Sequence, residues 1–223
     1  MRPLSQLVYA RIQEGAGSPR IVTLHKHNQF GEDVKEFGLA AAPEGRIIGL
    51  ESFKGVFVGK RIVGYTWYVG PMYQPPPLFY GDGLAEIERF LWDEVDRQID
   101  AGVAAPALPY LLGVEQGAIM ALGTAAVVPD LLSGVIAIGG AFPLVPGWEP
   151  PLAPLDGLPV LLVDPPEPVT DRPDVLVGDS LAATLRGWGA AVTRVVVPDP
   201  DRPSPATATW LGEQAVRFHH PVP

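Results

Sequence analysis

Short apolar runs alternate with amphipathic segments along most of this chain. Continuous apolar runs of strand length predict strands that are buried on both faces; they fall at residues 21–24, 108–112, 134–138 and 159–163. Further strands are predicted at residues 4–11, 46–50 and 192–197, and helices at residues 32–41, 82–99, 116–127, 179–188 and 206–218. Because buried strands alternate with helices, the pattern predicts an α/β fold with a mostly parallel central sheet covered by helices on both faces.

Two segments interrupt this alternation, and one residue marks where a helix begins. Residues 56–68 contain valines, isoleucine and aromatic residues around a Gly59–Lys60 turn, which predicts a hairpin or an irregular flap. Asp82 stands where it can cap the helix that follows. The proline-rich residues 143–159 predict a surface excursion and not a boundary, so we expect a single domain over residues 1–223 without a large cap.

Composition narrows the classes of function. The formal net charge is −9, which argues against nucleic acid and against anionic membrane surfaces as partners. The chain has no cysteine, so disulfides and thiolate chemistry are excluded. We find no signal-peptide pattern or membrane-length apolar run, which predicts a cytoplasmic protein that does not enter a membrane.

Three strand ends carry candidate chemistry, because sites in open parallel sheets lie at the carboxyl ends of strands. They read LHKHN (24–28), LGVEQG (112–117) and VDPPEPV (163–169). In the second, Gly113 and Gly117 allow a sharp strand-to-helix elbow, and the residue between them is Glu115. Such an elbow presents its central side chain to the pocket in a strained backbone conformation.

These segments resemble a known family. LLGVEQGAIMAL followed by SGVIAIGGAFP is similar to the LGFSQGG…SG pattern of the phospholipase/carboxylesterase group of α/β-hydrolases, which includes the acyl-protein thioesterases. IVTLHKHNQFGEDVKEF and PVLLVDPPEPV resemble two further segments of that group, in the same order. The resemblance implies a single α/β-hydrolase domain.

The same resemblance implies that two of the three catalytic positions are substituted. Glu115 replaces the serine nucleophile, and the acid of the triad maps to Glu167. The turn that carries the histidine base in the family is here residues 198–204, which contain none; the nearest histidines are His219 and His220. The backbone donors of the oxyanion hole map to Gln116 and to His27 or its neighbour.

Glu115 admits several roles. It can be a relic or a ligand anchor whose carboxylate accepts hydrogen bonds from the N-terminus of the following helix. It can also be a general acid/base or a carboxylate nucleophile, as the elbow aspartate is in epoxide hydrolases and haloalkane dehalogenases. We favour the first interpretation, because a covalent hydrolytic cycle still needs a histidine to activate water.

Several neighbouring residues are candidates for the same pocket. His25 is expected to be structural, whereas His27 has the better chance of facing the pocket. Lys26 can pair with Glu115 or Glu32, although we expect it to point to solvent. The aromatic residues before the PPP run can wall the pocket or pack in the core; they are Tyr65, Trp67, Tyr68 and Tyr73.

Charged residues in two loops complete the candidates. Asp164 and Glu167 can form a coupled carboxylate pair with Glu115, although solvation is the commoner fate of loop carboxylates. Arg202, in the substituted histidine turn, can reach Glu115 or Glu167 or lie on the surface.

The function predicted from these residues is a catalytically degenerate hydrolase that binds a small molecule or a protein partner at the old pocket. The alternative is an enzyme of altered chemistry, such as a cyclase, lyase or epoxide-opening enzyme that uses Glu115. A conventional carboxylesterase ranks third. We expect no cofactor and no metal, no nucleic-acid partner, and a homodimer as a possible assembly.

Overall fold

The central feature of the fold is a seven-stranded sheet in the order β1-β3-β2-β6-β7-β9-β11. The computed structural model describes residues 8–13 and 19–219 of the 223-residue chain. The strands of this sheet are β1 (Val8–Gln13), β2 (Arg20–Leu24), β3 (Arg46–Glu51), β6 (Tyr110–Val114), β7 (Gly134–Ile138), β9 (Pro159–Asp164) and β11 (Ala191–Val196). Strand β1 runs antiparallel to β3, and every other neighbouring pair is parallel. The predicted mostly parallel sheet is therefore confirmed; residues 4–7 of the first predicted strand lie outside the described residues.

Five α-helices connect these strands. They are α1 (Lys35–Ala41), α2 (Pro77–Asp100), α3 (Gln116–Val127), α4 (Gly178–Gly187) and α5 (Pro205–His219). Short 3-10 turns precede α1 at Gly31–Val34 and follow α3 at Pro129–Leu131. Within the described part of the chain, no helix is long and apolar enough to cross a membrane.

Helices cover both faces of the sheet, as the continuous apolar strands predicted. Neighbouring residues of a strand point to opposite faces, so Ile21 belongs to one buried cluster and Val22 to the other. The larger cluster contains side chains from α2, α3 and α4, and the smaller contains side chains from α1 and α5. A strand buried on both faces cannot show the alternation of apolar and polar residues that marks a half-exposed strand.

Helix α2 begins earlier than the sequence pattern predicted. Asp82 does not cap it, because Pro76 is the N-cap and Pro77 is the first helical residue. Proline is well suited to this position, since its fixed φ is helical and its missing N–H would have no helical partner there. The expectation at Asp82 was wrong because the helix extends five residues further toward the N-terminus, to Pro77.

A short strand pair lies at the start of the proline-rich excursion. Strand β8 (Phe142–Pro143) pairs antiparallel with β10 (Val175–Leu176). Phe142 is fully buried and stacks on Trp148, with 5.4 Å between the ring centroids. Two-residue strands leave too short a pattern to be predicted from sequence.

A hairpin positions the loop that follows β2. Strands β4 (Lys54–Val58) and β5 (Arg61–Thr66) pair antiparallel around the Gly59–Lys60 turn, which confirms the hairpin prediction. The backbone N–H of Asn28 donates to the Tyr65 carbonyl at 2.8 Å, and the N–H of Tyr65 donates to the Gln29 carbonyl at 2.9 Å. The hairpin thus holds the loop that carries Lys26 and His27 at the carboxyl edge of the sheet.

Candidate active site

Glu115 occupies a strained elbow between β6 and α3. Its φ of 50° and ψ of −109° lie outside the regions that residues with a side chain normally adopt. The surrounding backbone holds it there, because its N–H donates to the Ile138 carbonyl at 2.9 Å and its carbonyl accepts from the Ile119 N–H at 3.1 Å. Strain of this kind persists only where packing enforces it, and it is concentrated at functional sites.

The two elbow glycines are required by close backbone packing. A Cβ on Gly113 would lie 2.1 Å from the Gly117 carbonyl oxygen, and a Cβ on Gly117 would lie 2.1 Å from the Leu24 carbonyl oxygen. No side chain fits at either position without moving the backbone. The predicted elbow is therefore present, and helix α3 begins directly against the end of β2.

The Glu115 carboxylate forms an ion pair with Lys26. The Lys26 Nζ lies 3.1 Å from Glu115 Oε1 and also contacts the Asp201 carboxylate. The expectation that Lys26 points to solvent was wrong, since only 15% of its side chain is exposed. The expectation that helix N–H groups satisfy Glu115 was also wrong, because its side chain makes no capping hydrogen bond. At this position the ammonium takes the place of the helix N-terminus as the partner of the carboxylate.

Lys26 carries a stable positive charge. Burial alone would lower its pKa, but hydrogen bonds and charge attraction from Asp201 and Glu115 outweigh burial and leave the pKa above its ordinary value. The ammonium therefore remains protonated near neutral pH and cannot serve as a general base.

His25 is a structural residue, as predicted. Its ring is fully buried and stacks on Trp67, with 4.8 Å between centroids. The Ser52 backbone N–H donates to Nε2 at 3.2 Å, so Nδ1 carries the proton and donates to the Lys26 carbonyl at 2.6 Å. Burial lowers the pKa of His25 to about 4. The neutral ring is thus locked by bonds at both nitrogens.

His27 is exposed, and its described contact is with Thr66 and not with Glu115. Its Nδ1 lies 3.0 Å from Thr66 Oγ1 on β5. His219 is the last residue of α5, and His220 lies outside the described residues. Among the described side chains, none of the hydrogen bonds or ion pairs joins an imidazole to Glu115.

The side chains of Gln116, Trp67 and Tyr68 are buried, which favours core packing over a pocket wall for Trp67 and Tyr68. The backbone N–H of Gln116 as an oxyanion donor stays a prediction. Gln116 Oε1 accepts from the Trp67 backbone N–H at 3.0 Å, and Gln116 Nε2 donates to the Tyr68 carbonyl at 3.3 Å. Trp67 Nε1 donates to the His25 carbonyl at 2.9 Å. These residues fix the segment that follows the hairpin against the elbow.

A cleft of about 280 Å³ opens beside Glu115. Its apolar lining comes from Met72, Val114, Ile138, Val169 and Pro200, and its remaining lining from Glu115, Tyr73, Gly139 and Asp201. Of the predicted aromatic wall, Tyr73 alone is in this lining. Burial raises the Tyr73 pKa, and the nearby charge of Glu115 raises it further. Sequence reasoning missed Met72 and the role of Asp201, although Asp201 follows the end of β11 at the carboxyl edge of the sheet.

Among the described contacts, neither Asp164 nor Glu167 pairs with Glu115. Asp164 Oδ2 accepts from Arg194 Nε at 2.6 Å, and Glu167 is exposed in a neighbouring crevice of about 150 Å³ that also contains this ion pair. Burial raises the Asp164 pKa, and Arg194 opposes that effect. Arg202 lies on the surface, where it pairs with Asp199 at 3.3 Å. Among the residues described, no group of three or more histidines and carboxylates could hold a metal ion.

Comparison with known proteins finds a similarity at the level of sequence. No protein-family model matches the chain. A curated relative, named Putative esterase NocK, from Nocardia uniformis subsp. tsuyamanensis, is 28% identical over 194 residues, which cover 78% of this chain and 53% of the relative. The chain thus spans about half the length of that relative.

Solved structures match this chain in fold, although their sequences differ from it. A carboxylesterase from Mesorhizobium loti superimposes with a TM-score of 0.66 at 16% identity, covering 88% of each chain. The Bacillus cereus carboxylesterase gives 0.64 at 15% identity over 94% of each chain. A phospholipase/carboxylesterase from Dyadobacter fermentans gives 0.59 at 18% identity, covering 95% of this chain and 96% of that one. With its parallel sheet, its helices on both faces and its glycine elbow, this chain has the α/β-hydrolase fold in the form seen in carboxylesterases.

Proposed function

We propose that this protein is an α/β-hydrolase-fold protein that has lost serine-esterase chemistry and binds a small molecule in the cleft beside Glu115. One observation carries the proposal. The elbow that would present a hydroxyl nucleophile presents a carboxylate instead, and that carboxylate is neutralised by Lys26 at 3.1 Å.

Acyl transfer from an ester requires a nucleophile and a base that activates it. Glu115 is not a hydroxyl, and the two histidines of the loop after β2, His25 and His27, are bonded to other groups. The family resemblance places the base in the turn at 198–204, where this chain instead contributes Asp201 to the ion pair. The positions that the resemblance assigns to the nucleophile and the base thus carry Glu115 and the turn of Asp201, and both carboxylates pair with Lys26.

A second candidate is an enzyme that uses Glu115 directly. In its favour, 39% of the Glu115 side chain is exposed, and the residue lines the cleft from a strained elbow. A carboxylate there could attack an electrophile or accept a proton from a bound substrate. The ion pair to Lys26 weakens this candidate, because an ammonium 3.1 Å away already occupies one oxygen of the carboxylate. The relatives named as esterases favour conventional ester hydrolysis, which ranks third.

Labelling and turnover experiments separate these candidates. We expect no labelling of the wild-type protein by a fluorophosphonate probe and no hydrolysis of p-nitrophenyl acetate above the rate of the denatured protein. Labelling at a serine would restore the esterase interpretation. Hydrolysis that disappears in Glu115→Gln and persists in Glu213→Gln, an exposed carboxylate on α5, would instead support the second candidate.

A further inference from the structure

The charges of the cleft favour a cation. Glu115 and Asp201 contribute two carboxylates, and Lys26 contributes one ammonium between them. The cleft therefore has a net negative charge, in a chain whose formal net charge is −9. An anionic ligand would meet two like charges here, and it would have to displace a carboxylate from Lys26 to gain a partner.

The contact of Lys26 with both carboxylates shows that they bind a primary ammonium group. Its primary ammonium reaches both of them from a side chain that is only 15% exposed. The carboxylates remain accessible, because 39% of the Glu115 side chain and 67% of the Asp201 side chain are exposed. The Lys26 ion pair uses Oε1 of Glu115, and no described residue donates a hydrogen bond to Oε2. A second ammonium can therefore approach the free oxygen.

The walls of the cleft suit a small apolar body next to that charge. Met72, Tyr73 and Val169 line it together with Pro200. Tyr73 offers an aromatic ring, which attracts cations through its face and packs against other rings. The volume of about 280 Å³ lies at the lower end of the range for small-molecule sites, so it fits a ligand of one ring better than a long acyl chain.

We infer that the ligand of this cleft is a small primary amine with an aromatic or aliphatic body, bound as its ammonium by Glu115 and Asp201 alongside Lys26. This inference rests on the proposed function, because it assigns a ligand class to the same cleft. The Lys26 ammonium acts as a built-in competitor for the two carboxylates, so its removal should strengthen binding.

Three probes of one skeleton test the charge requirement. Benzylammonium, benzyl alcohol and benzoate differ in charge but hardly in shape, and isothermal titration measures each. Of the three probes, we expect only benzylammonium to bind saturably, with a Kd of about 1 mM for a ligand of this size. The binding should weaken as salt is added. Glu115→Gln and Asp201→Asn should each weaken it by about fivefold, and Lys26→Met should strengthen it by a similar factor. Glu213→Gln is the matched control and should leave the affinity unchanged.

Other results overturn the inference. Binding of benzoate in place of benzylammonium would show that the ligand class is wrong, and so would no saturable binding of benzylammonium up to about 20 mM. An affinity for benzylammonium that is the same in Glu115→Gln, Asp201→Asn and wild type would place the amine elsewhere; circular dichroism establishes that these isosteric variants are folded. None of these results restores ester hydrolysis. The proposed function fails separately, through fluorophosphonate labelling or ester turnover.

Discussion

At the scale of single residues, the defining feature of the site is the ion pair between Glu115 and Lys26. A carboxylate on a strained elbow would be costly if it faced the cleft alone. Lys26 compensates it, and Asp201 holds Lys26 from the other side. The three side chains come from three loops that are far apart in sequence, so the ion pairs also tie those loops together.

The coupling between Lys26 and Glu115 is measurable as a double-mutant cycle. We expect Lys26→Met to lower the free energy of unfolding by about 1 kcal/mol, because the ion pair is partly screened by solvent. Glu115→Gln should recover about half of that loss when it is combined with Lys26→Met, since the unpaired carboxylate is then absent. Urea denaturation measures the free energy of unfolding of Lys26→Met, Glu115→Gln and the double variant. Lys60→Met, at the exposed hairpin turn, is the control and should change stability by less than about 0.5 kcal/mol. Strict additivity would contradict the ion pair.

His25 makes stability depend on pH in a defined direction. Its pKa is about 4 in the folded protein, against an ordinary value of 6.5. Between these values the unfolded chain binds a proton that the folded protein excludes. The stabilisation that the neutral His25 ring contributes is therefore complete above pH 6.5 and is lost as the pH falls to about 4. The loss in free energy of unfolding amounts to about 3.5 kcal/mol, at roughly 1.4 kcal/mol per pKa unit.

The test is the free energy of unfolding of wild type and His25→Gln at several pH values in that window. We expect the difference between the two proteins to be largest near neutral pH and to shrink toward pH 4, because the variant has no imidazole to protonate. Parallel curves would mean that His25 does not resist protonation.

At the scale of elements, the strand-to-helix elbow depends on the absence of a side chain at Gly113 and Gly117. Helix α3 starts so close to β2 that a Cβ on Gly117 would meet the Leu24 and His25 carbonyl oxygens at 2.1 and 2.8 Å. All of these contacts are with backbone, which cannot rotate away as a side chain can. The position of α3 against the sheet therefore depends on this glycine.

Gly117→Ala should lower the free energy of unfolding by about 3 kcal/mol or more, because β2 and α3 must move apart to admit the methyl group. Gly187→Ala is the matched control. Gly187 is the last residue of α4, and a Cβ there would have no atom within 4 Å. The control should be neutral or stabilising by a few tenths of a kcal/mol. Urea denaturation distinguishes the two, and a loss below about 1 kcal/mol at Gly117 would contradict the packing.

The elements show why sequence reasoning succeeded in some places and failed in others. Helix α3 was predicted with its observed bounds, because glycine spacing and continuous apolar residues are local signals. Pairing of Lys26 with Glu115 was named as an alternative but not favoured, because it depends on where three separate loops meet. The choice between pocket and core for Trp67 and Tyr68 stayed open for a related reason. Aromatic residues in a flap can face a pocket or the core, and buried hydrogen bonds to Gln116 decide it here.

At the scale of the whole molecule, one sheet separates two buried clusters. Trp67 lies in the larger cluster and Trp210 in the smaller, and both are almost fully buried. Because the same strands supply side chains to both clusters, neither can lose its packing without disturbing the other. One domain over residues 1–223 stays the expectation.

That expectation predicts a single unfolding transition. We expect urea denaturation followed by far-ultraviolet circular dichroism to coincide with tryptophan fluorescence in both Trp67→Phe and Trp210→Phe, which remove a reporter from one cluster each. Midpoints that differ between the two probes would show that the two faces unfold independently.

The clearance between position 117 and the Leu24 carbonyl is set by main-chain atoms. The turn must keep its outline whatever side chain stands at position 115. Selection for a foldable scaffold and selection for a particular reaction therefore act on different atoms of the same bend. Evolution can replace a hydroxyl with a carboxylate at position 115 without changing the backbone of the turn. A shared fold therefore does not reveal which reaction a related protein has kept.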